Sequence, residues 1–227
     1  SINTEKAAAL PGVKAVVTGS DFPPAPPPVW QAAGETPGNF RDLARNVMAR
    51  DKTLYDGHAV AAVAATNAVI AEEAMNLIEV DYEVLPHVID VREAMKEDAP
   101  LLHDDLFTDG VSPKPDKPSN IAKRMEFVLG DIENGFSKAD VVVEKEFTTK
   151  PVHQGYIEPH ACVADTSEDG KIYIHCSSQG QFMVRQFCAR VLDVEISNIT
   201  VVPAEIGGGF GGKTTVYLEP TAALLSR

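Results

Sequence analysis

Five glycines fall within the six positions 207–212, and Lys213 follows them. Because glycine loses more backbone entropy on folding than other residues, packing alone is a poor explanation for this density. Without β-carbons, the backbone can lie against a ligand and direct several N–H groups at its oxygen atoms. A helix predicted to follow would add the positive end of its dipole. The segment therefore predicts a site for a cofactor or a phosphate group.

Two other interpretations of this segment are open from the residues alone. It could be a structural turn that ends in a solvated lysine. It also matches the P-loop pattern formally, since Gly207, Gly212, Lys213 and Thr214 stand at the required spacing. However, no clear acidic strand of the Walker B type follows it. The dinucleotide pattern G-x-G-x-x-G does not fit its context, because no early β-α-β unit surrounds the segment.

Hydrophobic periodicity predicts two separately packed α/β regions that position this segment. In the first, strands are predicted at residues 14–18, 58–65 and 79–84, and a helix at residues 67–77. In the second, strands are predicted at residues 124–129, 141–148, 162–165, 172–176 and 199–202, and helices at residues 131–138 and 181–192. Residues 91–123 lack periodicity and indicate an irregular connector. The proline-rich run 22–28 is predicted to be a loop, with a proline-recognition motif as the alternative.

The turn sequence at residues 167–170 predicts a hairpin that places Cys162 opposite Cys176. With Cys188, these are the three cysteines of the chain, and their spacing fits neither a metal site nor a disulfide scaffold. They are predicted to be reduced thiols.

Composition narrows the classes of function. The 227 residues carry a net charge of -13, which disfavours nucleic acid and anionic lipid as partners. No apolar stretch reaches the length of a membrane-spanning helix, and no signal peptide is recognisable. The chain is therefore predicted to be cytoplasmic. Its ends lack capping signals, so we expect it to be cut from a longer protein.

Four segments in this order resemble the molybdenum hydroxylase family, which comprises xanthine dehydrogenase, aldehyde oxidase and carbon monoxide dehydrogenase. They are AAALPGVKAVVTGSD at 7–21, DGHAVAAVAATNAVIAEEAMNLIEVDYEVLPHVID at 56–90, HQGYIEPHACVA at 153–164, and the stretch 179–213 that ends in IGGGFGGK. The similarity spans nearly the whole chain, so the P-loop match is interpreted as accidental.

The resemblance implies an α+β fold. An N-terminally truncated α/β-hammerhead domain is expected at residues 1–90, a connector at 91–123, and the first part of a molybdenum-cofactor-binding domain at 124–227. Family members bind molybdopterin and hydroxylate an aldehyde, aromatic or N-heterocyclic substrate with oxygen derived from water. Iron–sulfur and FAD modules, on partner subunits or missing chain, are expected to carry the electrons away.

The resemblance also assigns site residues. Gly208, Gly209, Phe210 and Gly211 match the family's backbone contacts to the pterin and its metal-oxo face, and Phe210 is also assigned to the catalytic site. Gln179 matches the glutamine beside the molybdenum ligands. An amide suits that position because it can donate to an oxo group and accept from a hydroxide without adding charge.

Other residues receive supporting roles. Glu158, before Pro159, matches a structural signature and is expected to hold a neighbouring loop. His153 and His160 are not expected to bind metal, because the pterin dithiolene holds molybdenum in this family. Lys213 is predicted either to meet a phosphate or to be solvated at the start of a helix.

Two differences from the resembled family limit which of its properties can be expected of this chain. Purine-oxidising members place a glutamate after the Gly-Gly-Lys sequence, where this chain has Thr214, so a purine substrate is disfavoured. The family's general base lies in a motif that would fall beyond Arg227, so the isolated chain is expected to be inactive. A noncatalytic binding or assembly module and a P-loop nucleotide-binding protein are the alternative functions.

Overall fold

The computed structural model describes residues 1–27, 30–33 and 36–227, and for residues 30–33 and 36–38 it describes the backbone only. The chain divides into two units. One is built from Ser1–Tyr82 and Val152–Arg227, and the other is Glu83–Pro151. The predicted domain borders at residues 90 and 124 remain a prediction.

Nine strands and seven α-helices lie within the described residues. The strands are β1 (Ile2–Asn3), β2 (Val13–Thr18), β3 (Trp30–Ala33), β4 (Thr36–Asn39), β5 (Ala61–Ala65), β6 (Glu79–Val80), β7 (Cys162–Thr166), β8 (Ile172–Cys176) and β9 (Ile199–Pro203). The helices are α1 (Glu5–Ala8), α2 (Phe40–Val47), α3 (Ala68–Asn76), α4 (Val91–Ala94), α5 (Ile132–Ser137), α6 (Gln181–Leu192) and α7 (Glu219–Leu225).

In the N-terminal part, β2 pairs antiparallel with β5, and α3 packs against β5. Asn67 caps α3 by accepting a hydrogen bond from the N–H of Ile70 at 2.9 Å, as polar N-cap residues do. β5 begins three residues later than predicted. The reason is His58, whose ring accepts from the N–H of Leu54 at 3.1 Å and thereby belongs to a turn.

The C-terminal part contains a three-stranded sheet in the order β7-β8-β9. β7 and β8 form the predicted hairpin, and Cys162 lies directly opposite Cys176, which confirms the predicted register. β8 and β9 are parallel, and α6 connects them. The predicted bounds of α6 are confirmed. The helix is followed by its C-cap residue Asp193, which adopts the left-handed conformation that an aspartate tolerates (φ 50°).

A single apolar core joins the N-terminal and C-terminal parts of the first unit. Phe40 of α2 meets Phe187 of α6 edge to face, with 5.7 Å between ring centroids, and both side chains are buried. The prediction of two separately packed regions is therefore wrong for these segments. Phe182, predicted to contribute apolar surface to α6, is 74% exposed because it lies in the first turn on the outer side.

The unit Glu83–Pro151 contains α4 and α5, and α5 lies within the helix predicted at residues 131–138. The strands predicted at 124–129 and 141–148 are not formed. Their apolar side chains, including Phe127, Leu129, Val141 and Phe147, are exposed. β-Propensity describes how a side chain fits a pleated surface, but a strand also needs a neighbour, and the described residues provide none for either segment.

Residues 22–27 of the proline-rich run form neither helix nor strand, as predicted, and Pro28 lies outside the described residues. Across the ranges 1–27, 30–33 and 36–227, no helix combines the length and apolar character that crossing a membrane requires.

Candidate functional site

The glycine segment lies at one edge of the three-stranded sheet. Because β8 and β9 are parallel neighbours, with Cys176 opposite Pro203, the residues that follow both strands leave the sheet at the same edge. Residues 177–179 and the loop 207–213 therefore meet there, and residues 153–160 complete the site. We call residues 207–213 the glycine loop.

Gln179 is hydrogen-bonded to the glycine loop through its amide oxygen. Its Oε1 accepts from the N–H of Gly211 at 3.0 Å and from the N–H of Lys213 at 3.2 Å. The backbone N–H of Gln179 in turn donates to the carbonyl of Lys213 at 2.9 Å. These bonds assign the amide oxygen to the loop and leave the NH₂ group as the end that can meet a ligand.

The surroundings and the backbone conformation of this loop explain why residues 209 and 211 are glycines. A β-carbon on Gly209 would lie 2.6 Å from Oε1 of Gln179, which is too close for any real side chain. Gly211 has open space around it but a φ of 87°, which strains residues that carry a β-carbon. Packing against Gln179 therefore explains Gly209, whereas the empty surroundings of Gly211 show that packing alone does not explain every glycine of the loop.

Three consecutive N–H groups of the loop remain available. Those of Gly208, Gly209 and Phe210 have no hydrogen-bond partner among residues 1–27, 30–33 and 36–227. The other glycines donate within the chain: Gly207 to Glu158, Gly211 to Gln179 and Gly212 to the carbonyl of Gly209. Because an unpaired donor at buried Gly209 is costly, an oxygen-rich ligand would satisfy it. This part of the loop fits the molybdopterin site that the resemblance implies.

Phe210 stands between the available N–H groups and the Gly211 turn. Its φ is 48°, a left-handed conformation that is uncommon for a bulky residue, and its side chain is 73% exposed. Unusual backbone conformations of this kind are found mainly where the surrounding structure enforces them, often at ligand sites. An exposed phenyl ring beside free backbone donors gives the site one apolar wall.

Glu158 holds both ends of the glycine loop. Its Oε2 accepts from the N–H of Gly207 at 2.8 Å and from Nζ of Lys213 at 2.5 Å. Bonds from Lys213 and then from Gly207 keep the pKa of the Glu158 carboxyl below its ordinary value. The expected role of Glu158 in holding a neighbouring loop matches this geometry.

Lys213 differs from both of its predicted roles. Its side chain is 1% exposed, its ammonium is paired with Glu158, and Nζ lies 5.2 Å from the ring centroid of Tyr156. The prediction failed because the pairing carboxylate lies 55 residues earlier in the chain, where no local spacing reveals it. Sequence reasoning also missed Tyr156, and no local signal in the sequence distinguishes that residue.

The geometry also contradicts the P-loop interpretation. A P-loop lysine must reach phosphate oxygens, whereas the ammonium of Lys213 is buried against Glu158. The predicted helix does not follow the glycines directly, since α7 begins only at Glu219. Neither the lysine nor a helix N-terminus is therefore placed for a nucleotide.

Histidine and tyrosine rings line one side of the site. The ring centroids of His153 and Tyr156 are 4.7 Å apart, those of Tyr156 and His160 are 5.4 Å apart, and those of His160 and Tyr217 are 5.1 Å apart. Burial lowers the pKa of His160. Within the described part of the chain, no group of three or more His, Cys, Asp or Glu side chains could hold a metal ion.

Thr214 directly follows the Gly-Gly-Lys sequence, at the position where purine-oxidising enzymes of the resembled family have a glutamate. Its hydroxyl donates to the carbonyl of Gly211 at 2.9 Å. The side chain therefore supports the loop and offers no charge to a ligand.

Comparison with known proteins identifies the domains. Residues 113–227 match the family model of the molybdopterin cofactor-binding domain, and residues 1–86 match that of the aldehyde oxidase and xanthine dehydrogenase a/b hammerhead domain. The predicted α+β fold, the family and the cofactor class are confirmed.

Several relatives cover the chain from end to end. A xanthine dehydrogenase molybdenum-binding subunit of Escherichia coli O157:H7 is 30% identical over 226 residues, and the match covers 100% of this chain and 28% of that protein. The carbon monoxide dehydrogenase large chain of Afipia carboxidovorans is 33% identical over 230 residues, with 100% of this chain and 27% of that protein covered.

Among solved structures, quinoline 2-oxidoreductase from Pseudomonas putida 86 superposes with a TM-score of 0.80 at 27% identity, covering 100% of this chain and 27% of that chain. The chain thus spans about a quarter of the length of these three proteins. Because the cofactor-binding model matches half of the chain and the hammerhead model matches most of the rest, the chain belongs to the molybdopterin-binding family of aldehyde oxidase and xanthine dehydrogenase.

Proposed function

We propose that the protein containing this chain is a molybdopterin-dependent oxidoreductase that hydroxylates a small aldehyde, aromatic or N-heterocyclic substrate with oxygen derived from water. The observation that carries the proposal is one patch of unpaired donors. The N–H groups of Gly208, Gly209 and Phe210 are unpartnered among the described residues, and the NH₂ end of Gln179 faces away from its own hydrogen bonds.

Each of these residues would have a separate task. The N–H groups of Gly208, Gly209 and Phe210 would bind oxygen atoms of the cofactor. Gly211 was expected to make a similar contact, but its N–H is occupied by Gln179, so we propose that Gly211 serves the turn instead. The exposed ring of Phe210 would limit where a substrate can lie.

The bound cofactor would supply two-electron redox chemistry and the water-derived oxygen. Gln179 would donate from Nε2 to an oxygen close to the reacting centre, because its Oε1 is held by the loop. A donor that is oriented before the reaction needs no rearrangement when charge develops, which is why such groups contribute strongly to rate. Because the amide is neutral, it can donate without placing a charge beside the metal.

The substrate is proposed to be an aldehyde, an aromatic compound or an N-heterocycle other than a purine. Thr214 offers a neutral hydroxyl that is already bonded to Gly211, so it cannot hold a purine as a carboxylate would. Relatives named for xanthine, carbon monoxide and quinoline indicate how widely substrates vary within the family.

Redox partners carrying iron–sulfur and flavin groups are proposed to accept the electrons, on other subunits or on other parts of the protein. A cytoplasmic location is proposed as well. Free thiols at Cys162 and Cys176, opposite each other across two strands, are consistent with a reducing compartment.

The proposal is tested by replacing Gln179 in the full-length protein expressed with cofactor synthesis. Gln179→Glu retains an oxygen for the N–H groups of Gly211 and Lys213 but lacks the NH₂ donor. We expect molybdenum loading close to that of the wild type and turnover per molybdenum lower by about 100-fold or more. Gln179→Ala removes both functions and is expected to lower loading as well.

Cofactor loading is measured as molybdenum and pterin content. Turnover per molybdenum is then obtained from the reaction rate on a panel of aldehydes and heterocycles. A Gln179→Glu protein with normal turnover per molybdenum would contradict the assignment of Gln179. A wild-type protein that contains no pterin after such expression would contradict the whole proposal.

A further inference from the structure

The two ends of the glycine loop are tied to one carboxylate oxygen. Oε2 of Glu158 accepts from the N–H of Gly207, the first residue of the loop, and from Nζ of Lys213, the last. We infer that Glu158 and Lys213 are a positioning pair that sets the conformation of the loop before any cofactor binds. The inference rests on the proposed function only where it describes the loop as the cofactor cradle.

The burial of Lys213 makes this pairing obligatory. An ammonium group can be buried only where an opposite charge and hydrogen bonds compensate for its lost hydration. Within the part of the chain that the structure describes, Glu158 is the carboxylate that pairs with Lys213, and Ser177 Oγ adds a long contact at 3.5 Å. The face of Tyr156 adds a favourable cation–π contact.

The positions of the tied atoms show what the pair controls. With Gly207 and Lys213 fixed at one oxygen, and with Gly211 and Lys213 fixed at Oε1 of Gln179, both flanks of the loop are constrained. The N–H groups of residues 208–210 lie between these flanks. Glu158 and Lys213 thus act through the backbone of the loop, and the buried ammonium of Lys213 is not itself placed to touch a ligand.

A purely structural ion pair would stabilise the whole unit rather than the loop. Local and global effects can be separated by amide hydrogen exchange, because amides of the loop and of α6 report different opening events. The experiment uses the full-length protein prepared without molybdopterin and compares Glu158→Gln, Lys213→Met and the double variant. The double variant carries no charge at either position, and the amide oxygen introduced at position 158 can still accept from Gly207.

A matched control is available in the hairpin turn. Lys171 pairs with Asp169 at 3.2 Å, but both side chains are more than half exposed. Lys171→Met therefore removes the same kind of side chain from an exposed pair, and we expect no change in exchange within the glycine loop.

Each single variant is expected to accelerate exchange at Gly211, Gly212 and Lys213, whose N–H groups are hydrogen-bonded without the cofactor, at least about tenfold, while exchange in α6 stays within about threefold of the wild type. The double variant should lie closer to the wild type than either single variant, because no uncompensated charge remains. A single variant that fails to fold would show that the pair stabilises the whole unit, which would also overturn the inference.

Unchanged loop exchange in both single variants would overturn the inference. Equal acceleration in the loop and in α6, or single effects that simply add in the double variant, would overturn it as well. The same variants are also expressed in cells that synthesise the cofactor. Their molybdopterin content tests separately whether the glycine loop binds the cofactor. A loosened loop with full loading would support the positioning pair and contradict the proposed function of the loop.

Discussion

The amide oxygen of Gln179 lies where a side chain on Gly209 would have to begin, since a β-carbon there would be only 2.6 Å from it. The loop and the glutamine therefore fit each other, and a side chain on Gly209 would require Gln179 to move. Gly211 is constrained differently, because its surroundings are empty but its φ is 87°. Alanine substitutions at the two positions should separate these constraints.

We predict that Gly209→Ala displaces Gln179 and lowers the free energy of unfolding by about 1–3 kcal/mol, as overpacking does. Because the clash is with one side chain, part of this loss should disappear in a Gln179→Ala background. Gly211→Ala should cost about 1–2 kcal/mol through backbone strain in either background. Urea denaturation of the single and double variants and the wild type gives the coupling, and additive effects at Gly209 would show that the clash is absent.

We predict that the apolar core depends on Phe187 and not on Phe182, although both lie on α6. Phe187 is buried against Phe40, whereas Phe182 is 74% exposed. Phe187→Ala should lower the free energy of unfolding by about 3–5 kcal/mol. Phe182→Ala should change it by no more than about 0.5 kcal/mol. Similar losses in the two variants would contradict the orientation of α6.

The cysteine pair predicts a loss of stability at alkaline pH. Burial raises the pKa of the Cys162 thiol to about 12 from an ordinary value of 9.0, and burial raises that of Cys176 as well. Between pH 9.0 and about pH 12 the folded chain retains a proton on Cys162 that the unfolded chain releases. The free energy of unfolding therefore falls as pH rises through this range. Cys162→Ala should weaken this decline, measured by urea denaturation between about pH 8 and pH 10.5.

Val163→Ala is the matched control for this prediction, because Val163 lies in the same strand, is exposed and does not ionise. It should keep the full pH dependence. An alkaline decline of equal size in Cys162→Ala would show that other groups cause it.

The lowered pKa of Glu158 predicts that the glycine loop loses stability at acidic pH. Bonds from Lys213 and Gly207 lower the pKa of its carboxyl, so the stability that it contributes is present above its ordinary pKa. That contribution is lost as pH falls through the lower folded value. Glu158→Gln should therefore give the amides of residues 211–213 less protection from exchange than the wild type has near neutral pH, and the difference should narrow in acid. A constant difference across the acid range would contradict the ion pair with Lys213.

Local signals predicted several parts of the fold well. The turn at residues 167–170 set the register that places Cys162 opposite Cys176, because hairpin geometry is decided within a few residues. The bounds of α6 followed from its apolar spacing. The strand predicted at residues 141–148 did not form, because alternation describes one segment whereas a strand depends on its neighbour.

The candidate site was predictable in part. The glycine segment was identified by its glycine density and Gln179 by the resemblance, and the parallel strands β8 and β9 bring them together. The role of Lys213 was not predictable from the residues around it, because its partner Glu158 is distant in sequence. Nor could the sequence reveal that Gln179 supports the loop, since this depends on which end of its amide faces Gly211.

The most direct test is residue-resolved amide exchange in the full-length protein with and without bound molybdopterin. Gly208, Gly209 and Phe210 should exchange more slowly when the cofactor is bound, because their N–H groups gain partners. Gly207, Gly211 and Gly212 should change little, because their N–H groups are already hydrogen-bonded. Equal exchange at residues 208–210 with and without the cofactor would contradict the assignment of the glycine loop as the molybdopterin site.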